Sequence, residues 1–251
     1  MKKIILISVS LCFLLNINAQ RKKSQQYDLK SSMLSGLEFR SIGPAFMSGR
    51  IADIVINPEN ESEWYVAVGS GGVWKTSNSG TTWSPISDNE PFYSTGAITI
   101  DPHNSSKIWL GTGENVGGRH VGIGHGVYMS ENGGEKWKDM GLKSSEHISK
   151  IIVSPEDPNL IFVASQGPLW SPGGDRGLFR SNNGGKDWKN VLNVNEWTGV
   201  TDIVIDHNNP STLYAATWQR HRNVAAYMGG GPGTSLYLSL IHISEPTRPY
   251  W

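Results

Sequence analysis

One eight-residue pattern, found three times, constrains this chain more than anything else in it. The copies are Thr76–Trp83 (TSNSGTTW), Ser130–Trp137 (SENGGEKW) and Ser181–Trp188 (SNNGGKDW), starting 54 and 51 residues apart. Each reads hydroxyl, any residue, Asn, any residue, Gly, two residues, Trp. Each begins on the last residue of an apolar, aromatic-bearing pentad: GVWKT, GVYMS and GLFRS. A pattern recurring in register at this period means a stacked repeat fold. Its letters predict a hairpin turn. Asn78, Asn132 and Asn183 accept bonds from turn amides. Gly80, Gly134 and Gly185 supply positive φ. Thr76, Ser130 and Ser181 bond local backbone groups. Trp83, Trp137 and Trp188 open the next strand and bury a large ring against a neighbouring sheet.

Four units surround these turns. Each opens on an apolar run that ends in a turn: IADIVINP (Ile51–Pro58), GAITIDP (Gly96–Pro102), ISKIIVSP (Ile148–Pro155) and VTDIVIDHNNP (Val200–Pro210). A second run follows at Trp64, Lys107, Leu160 and Thr212. The pentad is the third strand, and the octet Trp starts the fourth. Four antiparallel strands per unit, repeated every 45–55 residues or so, describe the blades of an all-β propeller. A β-sandwich has no need of one octet repeated in register. The high content of Gly (29) and Trp (10) suits short strands, tight turns and large packed rings.

Strand alternation sorts the connections by face. The Pro turns and octets share one face, and both are short and repetitive. The other face carries long connections: Glu114–His125, Gln166–Arg176 and Trp218–Thr234. Phe92, Tyr93, Glu146, His147, Glu196 and Trp197 join them from the fourth-strand connections. Function concentrates on variable loops held by a rigid scaffold. The candidate residues are therefore Glu114, Arg119, His120, His125, Trp170, Asp175, Arg176, Trp218, Arg220, His221 and Arg222. Rings stack on apolar ligand faces, and guanidinium forks take oxygen acceptors. Such a face suits a glycan or an extended peptide.

Phe39–Tyr237 resembles the large secreted sortilin-like, BNR-repeat proteins often called glycosyl hydrolases. The resemblance is carried by FRSIGPAFMSGRIADI (Phe39–Ile54), GSGGVWKT (Gly69–Thr76), GTGEN (Gly111–Asn115), PEDPNLIFVA (Pro155–Ala164) and the octets. The octet resembles the Asp-box, with Asn in place of the usual Asp, which keeps the turn chemistry and drops the charge. In that family the octet is a structural turn away from the active face. Xyloglucanase-like propellers place a catalytic Asp before a Gly-Gly in the first blade. The matching stretch here is YVAVGSGG (Tyr65–Gly72), with Gly69 at that position, so the xyloglucanase site is not carried over. Arg50 is similar in placement to the sialidase arginine of the first strand. Glycoside hydrolysis uses two carboxylates, and Glu114 and Asp175 are the candidates. The resemblance leaves two functions open: a carbohydrate-active propeller, and a non-catalytic sortilin-like propeller that binds peptide or protein.

Other classes find no support. Lys plus Arg equals Asp plus Glu at 22 each, with no basic stripe for nucleic acid. No metal constellation is present; His120 and His125 would need a third ligand such as Glu114. Gly229-Gly230-Gly231 lacks the Lys and hydroxyl of a phosphate loop, and no cofactor is implied. Met1–Ala19 reads as a secretory signal: Lys2 and Lys3, then an apolar run too short to span a membrane. The only cysteine, Cys12, lies within it. Gln20–Gly36 reads as a polar leader, and Leu37–Ser41 as an outer strand closing the ring. Leu238–Trp251 carries no octet, and LSLIHISEPTR looks like a translated sequencing adapter. The expected product is three blades and most of a fourth, with its C-terminal blades missing.

Overall fold

A computed structural model describes residues 30, 32, 36, 49–206 and 208–240. Contacts divide the chain into two units, Met1–Phe46 and Met47–Trp251, and the sixteen strands found among the described residues lie in the second. The expectations for Met1–Ala19, for Leu37–Ser41 and for the tail beyond Leu240 fall outside the described residues.

The chain is all-β, with four small antiparallel sheets arranged as propeller blades. Blade 1 is β1 (Ile51–Ile56), β2 (Trp64–Val68), β3 (Gly72–Thr76) and β4 (Ser84–Pro85). Blade 2 is β5 (Thr95–Asp101), β6 (Asn104–Thr112), β7 (Val127–Ser130) and β8 (Lys138–Asp139). Blade 3 is β9 (Ile148–Val153), β10 (Ile161–Ser165), β11 (Gly177–Ser181) and β12 (Lys189–Leu192). Blade 4 has β13 (Thr198–Ile205) beside β14 (Thr212–Arg222), with β16 (Ser235–Leu240) on the other side of β14. A short β15 (Tyr227–Gly229) pairs the upper end of β14. The first three fourth strands begin one residue after the octet Trp. β16 runs three residues past Tyr237 into the stretch expected to be foreign tail, pairing Leu238–Leu240 with Thr212–Tyr214.

Every inner strand carries a bulge at the same place, leaving Ala52, Gly96, Ser149 and Thr201 unpaired. A bulge bends and twists its strand, so each blade enters the ring with the same curvature. The bulge also sets a common register. Ile98, Ile151 and Ile203, two residues on, pack into the clusters shared with the preceding blade. On the second strand, Tyr65, Trp109 and Phe162 occupy one register position and pack against the following blade. The core is therefore three inter-blade layers, as sheets that cannot bury both faces alone require. The outermost positions lack that cover: Ile54 on blade 1 is 49 % exposed and Tyr214 on blade 4 is 40 % exposed.

The three octets share one hydrogen-bond pattern. In the second copy, the Ser130 hydroxyl donates to Asn132 Oδ1 (2.9 Å) and accepts from Gly134 N (2.9 Å). Asn132 Oδ1 also accepts from Lys136 N at 3.0 Å. Thr76 and Asn78, and Ser181 and Asn183, repeat this within 0.1 Å. Gly80, Gly134 and Gly185 have φ of 85°, 89° and 82°. Trp137 donates its indole N–H to Ile86 O, and Trp188 to Met140 O, each on the preceding blade. Trp83 departs from the expected burial. It has no blade before it among the described residues, is 37 % exposed, and meets Trp64 of its own blade edge-on.

Candidate functional site

The long connections gather on the face opposite the octets. Trp218–Thr234, expected as an irregular loop, is instead a hairpin. β14 runs past TLYAATW to Arg222, and Arg220–Arg222 pair with Tyr227–Gly229. Trp218, Arg220, His221 and Arg222 thus sit on a strand with fixed directions.

Glu114 leaves the end of β6 and is buried. Its Oε1 accepts from Arg50 Nε (3.0 Å) and Nη2 (2.6 Å), and its Oε2 from Gly122 N (2.9 Å). The carboxylate therefore joins the start of blade 1 to the loop of blade 2. Gly69 makes room for it: a β-carbon there would lie 2.5 Å from Glu114 Oε1. The volume that an Asp would need at position 69 is filled by a carboxylate from the next blade. Gly113 is required for a similar reason. It has φ of 87°, and a β-carbon would collide with the Glu146 carbonyl.

Asp175 and Arg176 shape the second loop. Asp175 Oδ2 accepts from Ser144 N at 2.9 Å, pinning the blade 2–3 connection. Arg176 is buried and donates to five carbonyls, those of Gly173, Gln166, Trp197, Pro168 and Ser171. It holds the loop from within, while Trp170 near the loop's apex is exposed.

The hairpin and the first loop meet across the face. Arg220 Nη1 donates to Val116 O (3.1 Å), Arg222 Nη2 to Gly117 O (3.3 Å), and Arg119 Nη2 to Val224 O (3.1 Å). The His221 ring lies against Trp197 at a tilt of 41° with centroids 4.0 Å apart, and Arg222 lies 4.7 Å over the Tyr227 ring. Trp218 meets Tyr227 edge-on. His120 and His125 are exposed, and the described residues hold no group of three metal-ligating side chains.

Glu146 and His147 stood in the sequence only as connection residues. Glu146 is a non-glycine residue at φ 54°, a conformation that persists only where the surroundings impose it. Burial raises its carboxyl above the ordinary value against the opposing fields of Arg176, Arg220 and His125. Burial pushes the adjacent His147 down to about 3, helped by Arg220, so its imidazole is neutral near pH 7. The neighbours that create this setting arrive from three blades, so no local pattern could mark it.

The fold defines a propeller of four-stranded blades. No protein-family model matches the chain. It is 27 % identical over 204 residues to a xyloglucanase of Hypocrea jecorina, covering 68 % of this chain and 23 % of that protein. It is 21 % identical over 216 residues to a protein of Neosartorya fischeri named "Probable oligoxyloglucan-reducing end-specific xyloglucanase", covering 78 % and 23 %. The crystal structure of the GH74 enzyme of Niastella koreensis superposes with a TM-score of 0.59 at 20 % identity, over 78 % of this chain and 29 % of that one. The chain thus spans about a quarter of the length of the curated relatives it matches.

Proposed function

We propose that this chain is the propeller part of an exported, carbohydrate-active protein that binds or cleaves polysaccharide on its long-loop face. The observation that carries this reading is the face itself. Exposed Trp170 and Tyr93 lie on the same face as the Trp197–His221 and Arg222–Tyr227 pairs. Flat rings beside forked donors match the alternating apolar faces and hydroxyls of a sugar chain. The xyloglucanase names of the matched relatives point to the same substrate class. The apolar positions exposed on blades 1 and 4 have the register that other blades bury, so further blades of the same protein are the inferred cover.

Within this reading Glu114 and Asp175 position loops, since the carboxylates of both are engaged by neighbouring donors. Glu146 is the carboxyl best suited to deliver a proton, because its raised pKa keeps the acid form at higher pH. The test is binding and hydrolysis of soluble xyloglucan and other plant polysaccharides by the chain and by Glu146→Gln. A carboxyl shifted upward by burial destabilises the fold as pH rises through its pKa, so Glu146→Gln should melt higher than wild type at pH 7 and equally at pH 4. Loss of hydrolysis in a variant that is more stable assigns the proton to Glu146. Retained hydrolysis removes it from the reaction, and no binding to any polysaccharide refutes the reading.

A further inference from the structure

Two guanidinium groups are buried on this face, and their surroundings differ. Arg176 uses all three nitrogens on backbone carbonyls. Arg220, fully buried, uses only Nη1; its Nε and Nη2 have no hydrogen-bond partner. None of the ion pairs among the described residues includes Arg220. The Trp218 ring, 5.7 Å away, offers only its π-face. Glu146 is near enough to act through its field but makes no bond to the group.

Nε and Nη2 form the side-on fork of a guanidinium, the edge that grips carboxylates. The chain holds its own example, since Arg50 clasps Glu114 Oε1 with these two nitrogens. At Arg220 the same edge faces no acceptor. An arginine cannot shed its charge to escape burial, and a buried charge is tolerated when paired. Nearby Arg222 Nε is also unpartnered and adds positive potential to the same hairpin. We propose that the Nε/Nη2 edge of Arg220 binds a small monovalent anion of halide or carboxylate chemistry, at the junction of the blade 2 loop and the blade 4 hairpin. The anion neutralises the group that ties β14 to Val116, so it couples the ordering of this face to the ionic medium. This inference stands whether or not the face binds polysaccharide.

The experiment uses the full chain in sodium methanesulfonate, whose anion is neither a halide nor a carboxylate. Chloride, bromide or formate replaces methanesulfonate at constant ionic strength. A saturable rise in Tm of about 3–6 °C is expected, from mass action on the native state, and Arg220→Met should abolish it. A crystal grown in bromide should show an anomalous peak in contact with Arg220 Nε and Nη2. A response to both halide and formate identifies a free-ion site; a response to formate alone identifies a carboxylate site, of the kind a ligand-borne carboxylate would fill. Equal melting in all four salts overturns the proposal, as does a crystal in which water or the Glu146 carboxylate occupies that edge. Should Arg220→Met fail to fold, the wild-type titration and the bromide crystal decide the matter alone.

Discussion

Glu114 and Arg50 offer a quantitative test of how the first blade is locked to the second. Glu114→Gln keeps the side chain's shape and removes its charge. One amide end must then present an N–H to either Arg50 or Gly122 N, so a donor faces a donor. The Arg50 side chain is 56 % exposed while that of Glu114 is 3 % exposed. Arg50 can therefore recover its bonds from water, and its share of the loss is about 1 kcal/mol. The Gly122 N–H contributes a further ~1–2 kcal/mol, the range for stranding a shielded donor. The total, about 2–3 kcal/mol, corresponds to a fall in Tm of roughly 4–12 °C for a chain of this size. Arg50→Gln alone should cost about 1 kcal/mol. The double variant should cost little more than Glu114→Gln, because both changes remove one interaction. Urea unfolding of the four proteins measures the cycle. Strict additivity, or a Glu114→Gln cost below about 0.5 kcal/mol, would refute the account of Glu114 as a blade clamp.

Acid stability should report on His147. Its folded value of about 3 lies below the unfolded value, so its contribution is complete above pH ~6.5 and is lost as pH falls towards 3, at up to ~1.4 kcal/mol per unit; His147→Asn should flatten the stability–pH slope between pH 6 and 4 by up to one proton. Ser130→Ala strands the Gly134 amide and should cost about 1–3 kcal/mol, read as a lower urea midpoint at unchanged m. Phe162→Ala should cost about 3–5 kcal/mol, whereas Tyr214→Ala, at the same register position on blade 4, should cost under ~1 kcal/mol. Equal costs for the last pair would mean that blade 4 is covered in solution.

The octets were legible letter by letter because their bonds close within eight residues. A hydroxyl, an Asn and a Gly at fixed spacing carry that geometry wherever they occur. The blades were legible because strand period and turn residues are local, and repetition supplied the stacking. The sorting of connections into two faces followed from strand alternation alone. The hairpin at Trp218–Thr234 was missed because its many glycines and polar residues read as loop, and the in-out alternation of β14 loses its phase at Gln219–Arg220. The burial of Trp83 was mispredicted because a ring finds its cover on another blade, which sequence spacing does not reveal.

By itself, then, the sequence determined the turn chemistry, the four-strand unit and the face on which variable side chains gather. Only the tertiary structure decided which of those side chains are free. Glu114, Asp175 and Arg176 look alike on paper as candidates, yet partners from distant segments engage all three. Glu146 and Arg220 carry unusual electrostatics because their neighbours converge from three blades. Hydrogen-bond satisfaction and desolvation are properties of the assembled surroundings, and those surroundings exist only once the blades have stacked.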